Sequence, residues 1–215
     1  MRQRSITTVT ADWRARRRAE SVDEIVAVAL RHMSLEGAGG LSLGAVAREL
    51  GMRTPSLYTY FPSKAALYDE LFRRGWVDYA EATRPAPITA GTDLRAYLAA
   101  GLLTSLEWAQ THRANAELMF WRPIPRWEPT PESFAASLVA IRNLADVIGS
   151  AQQLGLLTTE VEAEEIVQVI GVVSMGLVSQ HLSNDPHIPA RDGRLARHVH
   201  TLADMVVGQY EGSTT

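Results

Sequence analysis

Cysteine is absent from the 215 residues. That excludes disulfides, thiolate nucleophiles and Cys-based zinc sites, and it suits a reducing, cytoplasmic setting. Lysine is almost absent too: Lys64 is the only one, so basic character rests on arginine. No uninterrupted apolar run approaches the ~18–20 residues of a membrane span, so a soluble protein with no membrane partner is expected. The Arg-rich start has no apolar stretch behind it, which argues against a secretory signal. Signatures of catalysis are missing as well. There is no HExxH, no phosphate-binding glycine loop, no nucleophile with a neighbouring base, and no carboxylate cluster at usable spacing. His198 and His200 are two apart and face different sides of a helix, so neither a metal nor a cofactor is expected.

What is present is a chain that is 46% hydrophobic and 21% charged, enough to bury a core and stay dissolved. The net charge of −3 conceals an asymmetry. Residues 1–75 hold 12 Lys and Arg against 8 Asp and Glu, whereas residues 76–215 hold 9 against 16. A basic first third suggests a polyanionic partner for that part alone. Residues 1–20 carry Arg2, Arg4, Arg14, Arg16, Arg17 and Arg18 with little apolar content, and are expected as a flexible arm. The arm is open to two readings: contact with the minor groove or phosphates, or a solvated tail.

Alternating β-branched stretches are short, and Ala and Leu dominate, so an all-α fold of about nine helices is expected. Ser21 and Glu24 make a capping box for a first helix that Gly37 stops. Ser42 caps a short second helix ending at Gly51. Pro55 opens a third of barely two turns, and Ser63 caps a fourth that runs to about Thr83. Pro85-Ala86-Pro87 marks a boundary. Beyond it, helices are expected over about 93–110, 113–121, 130–155, 159–183 and 191–210. Thr130 is expected to cap the third of these, and Thr159 with Glu162 the fourth.

The segment 41–71, LSLGAVARELGMRTPSLYTYFPSKAALYDEL, holds the richest pattern. Two short helices meet at Gly51, with Ala47 small where they cross and Leu50, Met52 and Leu57 apolar enough to lock them together. This is the layout of a helix-turn-helix. Arg53, Thr54, Ser56 and Thr59 fall on the outer face, where such side chains reach base edges. Tyr58 and Tyr60 each pair an apolar ring with a hydroxyl able to donate to phosphate, and Lys64 sits where a helix start already attracts anions.

These residues resemble the amino-terminal DNA-binding domain of the tetracycline-repressor (TetR) family of transcriptional regulators. The match runs through Val46-Ala47, Leu50-Gly51, Ser56-Leu57-Tyr58, Phe61, Lys64 and Leu67. The resemblance implies a homodimer on a double-stranded DNA operator. The third helix would lie in the major groove, and Tyr58 and Lys64 on phosphates. DNA contacts are accordingly expected at Ser42, Arg53, Thr54, Ser56, Tyr58, Thr59, Tyr60 and Lys64. Tyr60 departs from the family, which commonly has His there.

The same resemblance implies an effector-binding and dimerisation domain in the rest of the chain. The expected division is 1–20 arm, 21–67 DNA-binding, 68–84 connecting helix and 85–215 effector and dimer domain. Ligand-lining residues are expected at Trp108, His112, Phe120, Trp121, Trp127 and Met175, since ligand sites are mostly apolar with a few placed polar groups. Ile166, Ile170, Val173, Leu177 and Leu182 give the penultimate helix an apolar face. Leu195, Val199, Leu202, Val206 and Tyr210 do so for the last. Together with the small Gly171, Ser174 and Gly176, they are expected to form a symmetric four-helix interface. The leading expectation is a non-enzymatic repressor released by a small molecule. The alternatives are a constitutive DNA-binding protein without effector, or a small all-α enzyme.

Overall fold

The computed structural model describes residues 3–212, the side chains of 3–12 and 14 excepted; Arg2 of the expected arm lies outside the described residues. Ten α-helices make up the described chain, and the one β-type pairing there is an isolated bridge between Leu157 and Glu211. They are α1 Gln3–Gly40, α2 Leu43–Glu49, α3 Thr54–Tyr58, α4 Lys64–Ala82, α5 Leu94–Thr111, α6 Arg113–Ala116, α7 Pro131–Ala135, α8 Ser137–Gln153, α9 Ala163–Asn184 and α10 Val199–Gln209. A single π-helical turn, Glu117–Trp121, continues α6.

Local chemistry explains most helix starts. The side chains of Ser42, Ser63, Asp93 and Thr130 each accept a backbone N–H two or three residues on, satisfying donors that a helix start leaves open. Two expected capping boxes do not form. Helix α1 runs straight through Ser21, whose hydroxyl donates back to the Arg17 carbonyl at 3.0 Å. Residues 3–20, expected as an arm outside the fold, are therefore the first turns of α1. Their arginines and alanines are good helix formers and carry the helix on. At the other site Glu162 takes the cap position with extended backbone and no side-chain bond, so α9 begins at Ala163 rather than Thr159. The expected last helix starts late: two 3-10 turns, Ala190–Asp192 and Ala196–His198, precede α10. Ala136 separates α7 from α8, where one helix was expected. Gly37 does leave the helix, with φ 74° and ψ 163°.

One core lies under α1–α4: Ile25, Ala29, Met33, Val46, Leu57, Leu67, Leu71 and Phe72 are all within 1% of full burial. Each such aliphatic or aromatic side chain stabilises by about 1.5–3 kcal/mol, so this small domain is held mainly by apolar packing. The core continues through Leu106, Leu118 and Met119 into the second half. A second cluster joins α8, α9 and α10 through Ile148, Ile166, Ile170, Val206 and Tyr210.

That cluster corrects the expected dimer face. Ile166, Ile170, Leu177 and Leu182 of α9 and Val199, Val206 and Tyr210 of α10 are buried within the chain. Apolar side chains left outside include Leu138, Val139 and Ile141 on α8, Phe134 just before it, Val172 on α9 and Met205 on α10. The segment Pro131–Gln153 and α9 are apolar enough over 18 residues to span a membrane by composition, with mean hydropathy 1.3 and 1.5. In the bundle 44% of that window of α9 is buried, but only 17% of that of Pro131–Gln153. An amphipathic stripe faces a core; an apolar helix this exposed has a second side to cover.

Candidate nucleic-acid interface and aromatic cluster

The helix-turn-helix is assembled around Leu57, which is fully buried at the centre of the five-residue α3. The turn closes with Met52 N–H donating to the Ala47 carbonyl at 2.8 Å. Gly51 sits there at φ 64°, a conformation that costs any residue with a Cβ roughly 1 kcal/mol or more. Pro55 in the first turn of α3 pre-sets φ and wastes no donor. With Leu57 inward, the other side of α3 faces solvent. Arg53, Ser56, Tyr58 and Thr59 are exposed there, Thr54 and Tyr60 half-buried. Tyr58 is 47% exposed, high for a ring of that size, so it is not part of the core. The Thr59 hydroxyl donates to the Ser56 carbonyl at 2.7 Å and closes the end of α3. Exposed Ser42 is occupied by its cap, accepting from Ala45 N–H at 3.4 Å.

Lys64 opens α4 beside this face. Its ammonium donates to the Gly39 carbonyl at 3.2 Å and lies 5.4 Å from the centre of the Tyr68 ring. Two of its three protons remain for an anion. Tyr60 has a partner the sequence did not suggest: the Arg18 guanidinium lies 5.1 Å over its ring. Ion pairs fasten the domain around this face. Glu49 of α2 meets Arg31 at 2.6 Å and His32 at 2.8 Å on α1, and these two hold its carboxyl below the usual range, Arg31 most. On α4, burial pushes the Glu70 carboxyl up, but Arg73 and Arg74 together outweigh it and leave it below its ordinary value. Arg74 also reaches Asp23 of α1 at 2.6 Å.

Helix α4 spans 19 residues, about 28 Å at 1.5 Å per residue, and leads from the helix-turn-helix into the second half. There its Trp76 and Tyr79 meet Trp108 of α5 and Phe120 of the π-turn, with ring centres 4.9–6.4 Å apart and mostly edge-on. Tyr79 and Ser105 share a hydrogen bond at 3.0 Å, and burial pushes the Tyr79 hydroxyl up. The Trp108 indole donates to Asp78 at 2.7 Å, and His112 stacks on the Trp108 ring at 4.9 Å. The Trp76 indole N–H is buried without a partner.

Three of the six expected ligand residues, Trp108, His112 and Phe120, thus come together. The others do not join them. Trp127 packs on Tyr68 and Phe72, beneath the helix-turn-helix. Trp121 lies at an open cleft of about 280 Å³ with Arg113, Glu117 and Ser179. Met175 packs half-buried against the core from α9. Trp76 and Tyr79 were missed, although Phe72, Trp76 and Tyr79 recur at i, i+4 and i+7, a one-face signal. The rings of the cluster fill the space between them with one another.

A short supporting helix, a tight glycine turn and a second helix with an exposed polar face make up a helix-turn-helix. Residues 25–71 match the family described as bacterial regulatory proteins, tetR family. The chain is 30% identical over 113 residues to the HTH-type transcriptional regulator Rv1816 of Mycobacterium tuberculosis, covering 52% of this chain. The match spans 48%, about half, of that relative's length. In fold it is similar to a protein of unknown function from Rhodococcus sp. RHA1, with TM-score 0.72 and 21% identity over 88% of this chain and 95% of that one. It is also similar to the transcriptional regulator FadR from Bacillus subtilis in complex with stearoyl-CoA, with TM-score 0.64 and 15% identity over 86% and 96% of the two chains.

Proposed function

We propose that the protein is a cytoplasmic transcriptional repressor that binds a palindromic operator as a homodimer and is released by a small molecule. The observation that carries this is the outer face of α3: Arg53, Ser56 and Tyr58 exposed on a helix anchored by Leu57, with the Lys64 ammonium at the next helix start. In this reading Arg53 and Thr54 read bases, while Tyr58 and Lys64 hold phosphates. The chain divides its labour, with 21–67 binding DNA, 68–84 connecting, and 85–215 sensing and dimerising. No enzymatic role is assigned.

The exposed apolar side of α8, extended by Val172 of α9, is the face a second copy would cover. Two reading heads would then meet half-sites about 34–36 Å apart. The cluster around Tyr79 supports an effector reading because it touches α4 directly. That a regulator of similar fold was solved with stearoyl-CoA supports a ligand in this architecture. A ligand wedging the rings apart would tilt α4 and change the spacing of the heads. Footprinting of the upstream DNA of this gene and its neighbours with purified protein tests the reading. A protected palindrome is expected; no protected site at any concentration that saturates generic DNA would sink it. A thermal-shift screen of small molecules separates the ligand-responsive repressor from a constitutive DNA-binding protein, for which no compound raises the unfolding temperature.

A further inference from the structure

We infer that the first turns of α1 form a second DNA-contacting surface, in which Arg16, Arg17 and Arg18 lie along the phosphate backbone beside the groove that α3 enters. This rests on the reading of α3 as the DNA-binding helix.

The geometry begins with Arg18. Its Nη2 donates to the Thr59 carbonyl at 3.1 Å, and its guanidinium covers the Tyr60 ring at 5.1 Å. Both partners sit at the carboxy-terminal end of α3, where free carbonyls and the helix dipole favour a cation. One arginine thus pins α1 to the end of the reading helix, 41 residues away in sequence. Helix α1 starts at Gln3, so the turns before Arg18 extend about 20 Å beyond this pin at 1.5 Å per residue. Trp13 and residues 15–20 are exposed along this stretch. The Arg17 guanidinium lies 5.0 Å over the Trp13 ring and keeps its charge outward.

Charge selects what covers this stretch. Residues 1–20 hold six arginines against Asp12 and Glu20. An isolated helix of this length is marginal in water by itself. A polyanion alongside would offset the repulsion among its arginines and gain from counterion release. Duplex DNA is the polyanion already next to it if α3 is in the groove. Tyr60 acquires a function in the same step. It is a positioning residue whose ring seats Arg18, and its hydroxyl is not what matters.

The test is the salt dependence of binding to a labelled 30-base-pair duplex of random sequence, by fluorescence anisotropy between about 50 and 200 mM NaCl. Each phosphate contact contributes about 0.9 to the slope of log K against log salt, so the combined Arg16→Ala, Arg17→Ala and Arg18→Ala variant should lower the slope by about 2–3. A control removing Arg84 and Arg194, which pair with Glu81 and Asp185 away from α3, should leave the slope unchanged. Tyr60→Leu should lose about one contact, whereas Tyr60→Phe should match the unaltered protein. An unchanged slope in the triple variant overturns the inference. So does a Tyr60→Phe loss as large as that of Tyr60→Leu. Binding of the unaltered protein to phosphatidylserine vesicles that the triple variant abolishes, with DNA binding intact, overturns it in favour of a membrane surface. If the unaltered protein does not bind the duplex at all, it is the DNA-binding reading itself that fails.

Discussion

Replacing Tyr68 by phenylalanine removes one oxygen from a packed site and isolates a single hydrogen bond. The ring is 2% exposed and its hydroxyl donates to the Ala38 carbonyl at 2.6 Å. Ala38 is itself buried, and its carbonyl has beyond this only the Leu41 N–H at 3.4 Å. The bond holds the linker between α1 and α2 onto α4, next to the Lys64 contact with Gly39. The ring stays, so apolar packing is kept. The loss is the bond plus part of the cost of an unsatisfied carbonyl, about 1–2 kcal/mol. For a chain of this size that lowers the unfolding temperature by about 2–8 °C.

Alkali gives the sharper reading. Burial pushes the Tyr68 hydroxyl from its usual 10 up to about 12. A group whose pKa is raised on folding contributes fully below the unfolded value and loses its contribution as pH rises through the folded one. The window is therefore pH 10 to about 12, and the loss across it approaches about 3 kcal/mol. The substituted ring has nothing to titrate, and every other alkaline group is common to both proteins. The unaltered protein should thus start about 1–2 kcal/mol ahead and fall level with Tyr68→Phe near pH ~11. Urea unfolding followed by circular dichroism at half-unit pH steps measures this. Stability curves that stay parallel across the whole window would refute the assignment of that proton to a buried, bonded hydroxyl.

Other expectations follow from the same structure. Lys64→Ala should weaken binding to all duplexes alike and lower the salt slope by about 1; an operator-selective effect in a competition assay would contradict a phosphate role. Arg53→Ala should instead cost about 1–3 kcal/mol on the operator and little on random DNA, read as a narrowed specificity ratio. Introducing charge on α8 with Val139→Glu and Ile141→Glu should yield monomers in sedimentation while leaving the helical content unchanged. Dimers that persist would place the interface elsewhere. For Glu70, depressed on balance by Arg73 and Arg74, the contribution is present above the ordinary carboxylate value of 4.5 and is lost as pH falls below it. Glu70→Gln should therefore flatten the acid limb of the stability profile.

The sequence was most legible where a few neighbouring residues decide the outcome. The Ser42, Ser63 and Thr130 caps each need only a hydroxyl and an N–H three residues on, and all three form. The boxes at Ser21 and Thr159 use the same letters but compete with longer-range preferences. At Ser21 the preceding arginines and alanines already favour helix. Beyond Thr159, Gln152 of α8 donates to the Thr158 and Val161 carbonyls at 2.8 and 2.7 Å, holding that stretch as a loop. Periodicity likewise found the apolar faces of α9 and α10 but not their partners. A face at helical spacing states that something covers it, and here the covering elements are α5 and α8 of the same chain. The exposure of Leu138, Val139 and Ile141 on α8 escaped notice because it depends on which elements pack beside the helix, which residue spacing alone does not state.

The candidate sites divide along the same line. Arg53, Ser56, Tyr58 and Thr59 lie outward because a five-residue helix with one buried leucine has a single outer face. Which aromatic rings meet depends instead on how α4, α5 and the π-turn cross. Gly75 sets one such crossing. A Cβ there would run into the Met119 sulfur and come within 2.8 Å of Asn115 Nδ2, so α4 and the π-turn region touch almost backbone to side chain. Met119 is 2% exposed. Close-packed surfaces of this kind pass on a displacement instead of absorbing it. Phe120 is the next residue and meets both Trp76 and Tyr79 of α4. A change in the π-turn therefore reaches α4 along two adjacent contacts, and α4 begins at Lys64, beside the reading helix.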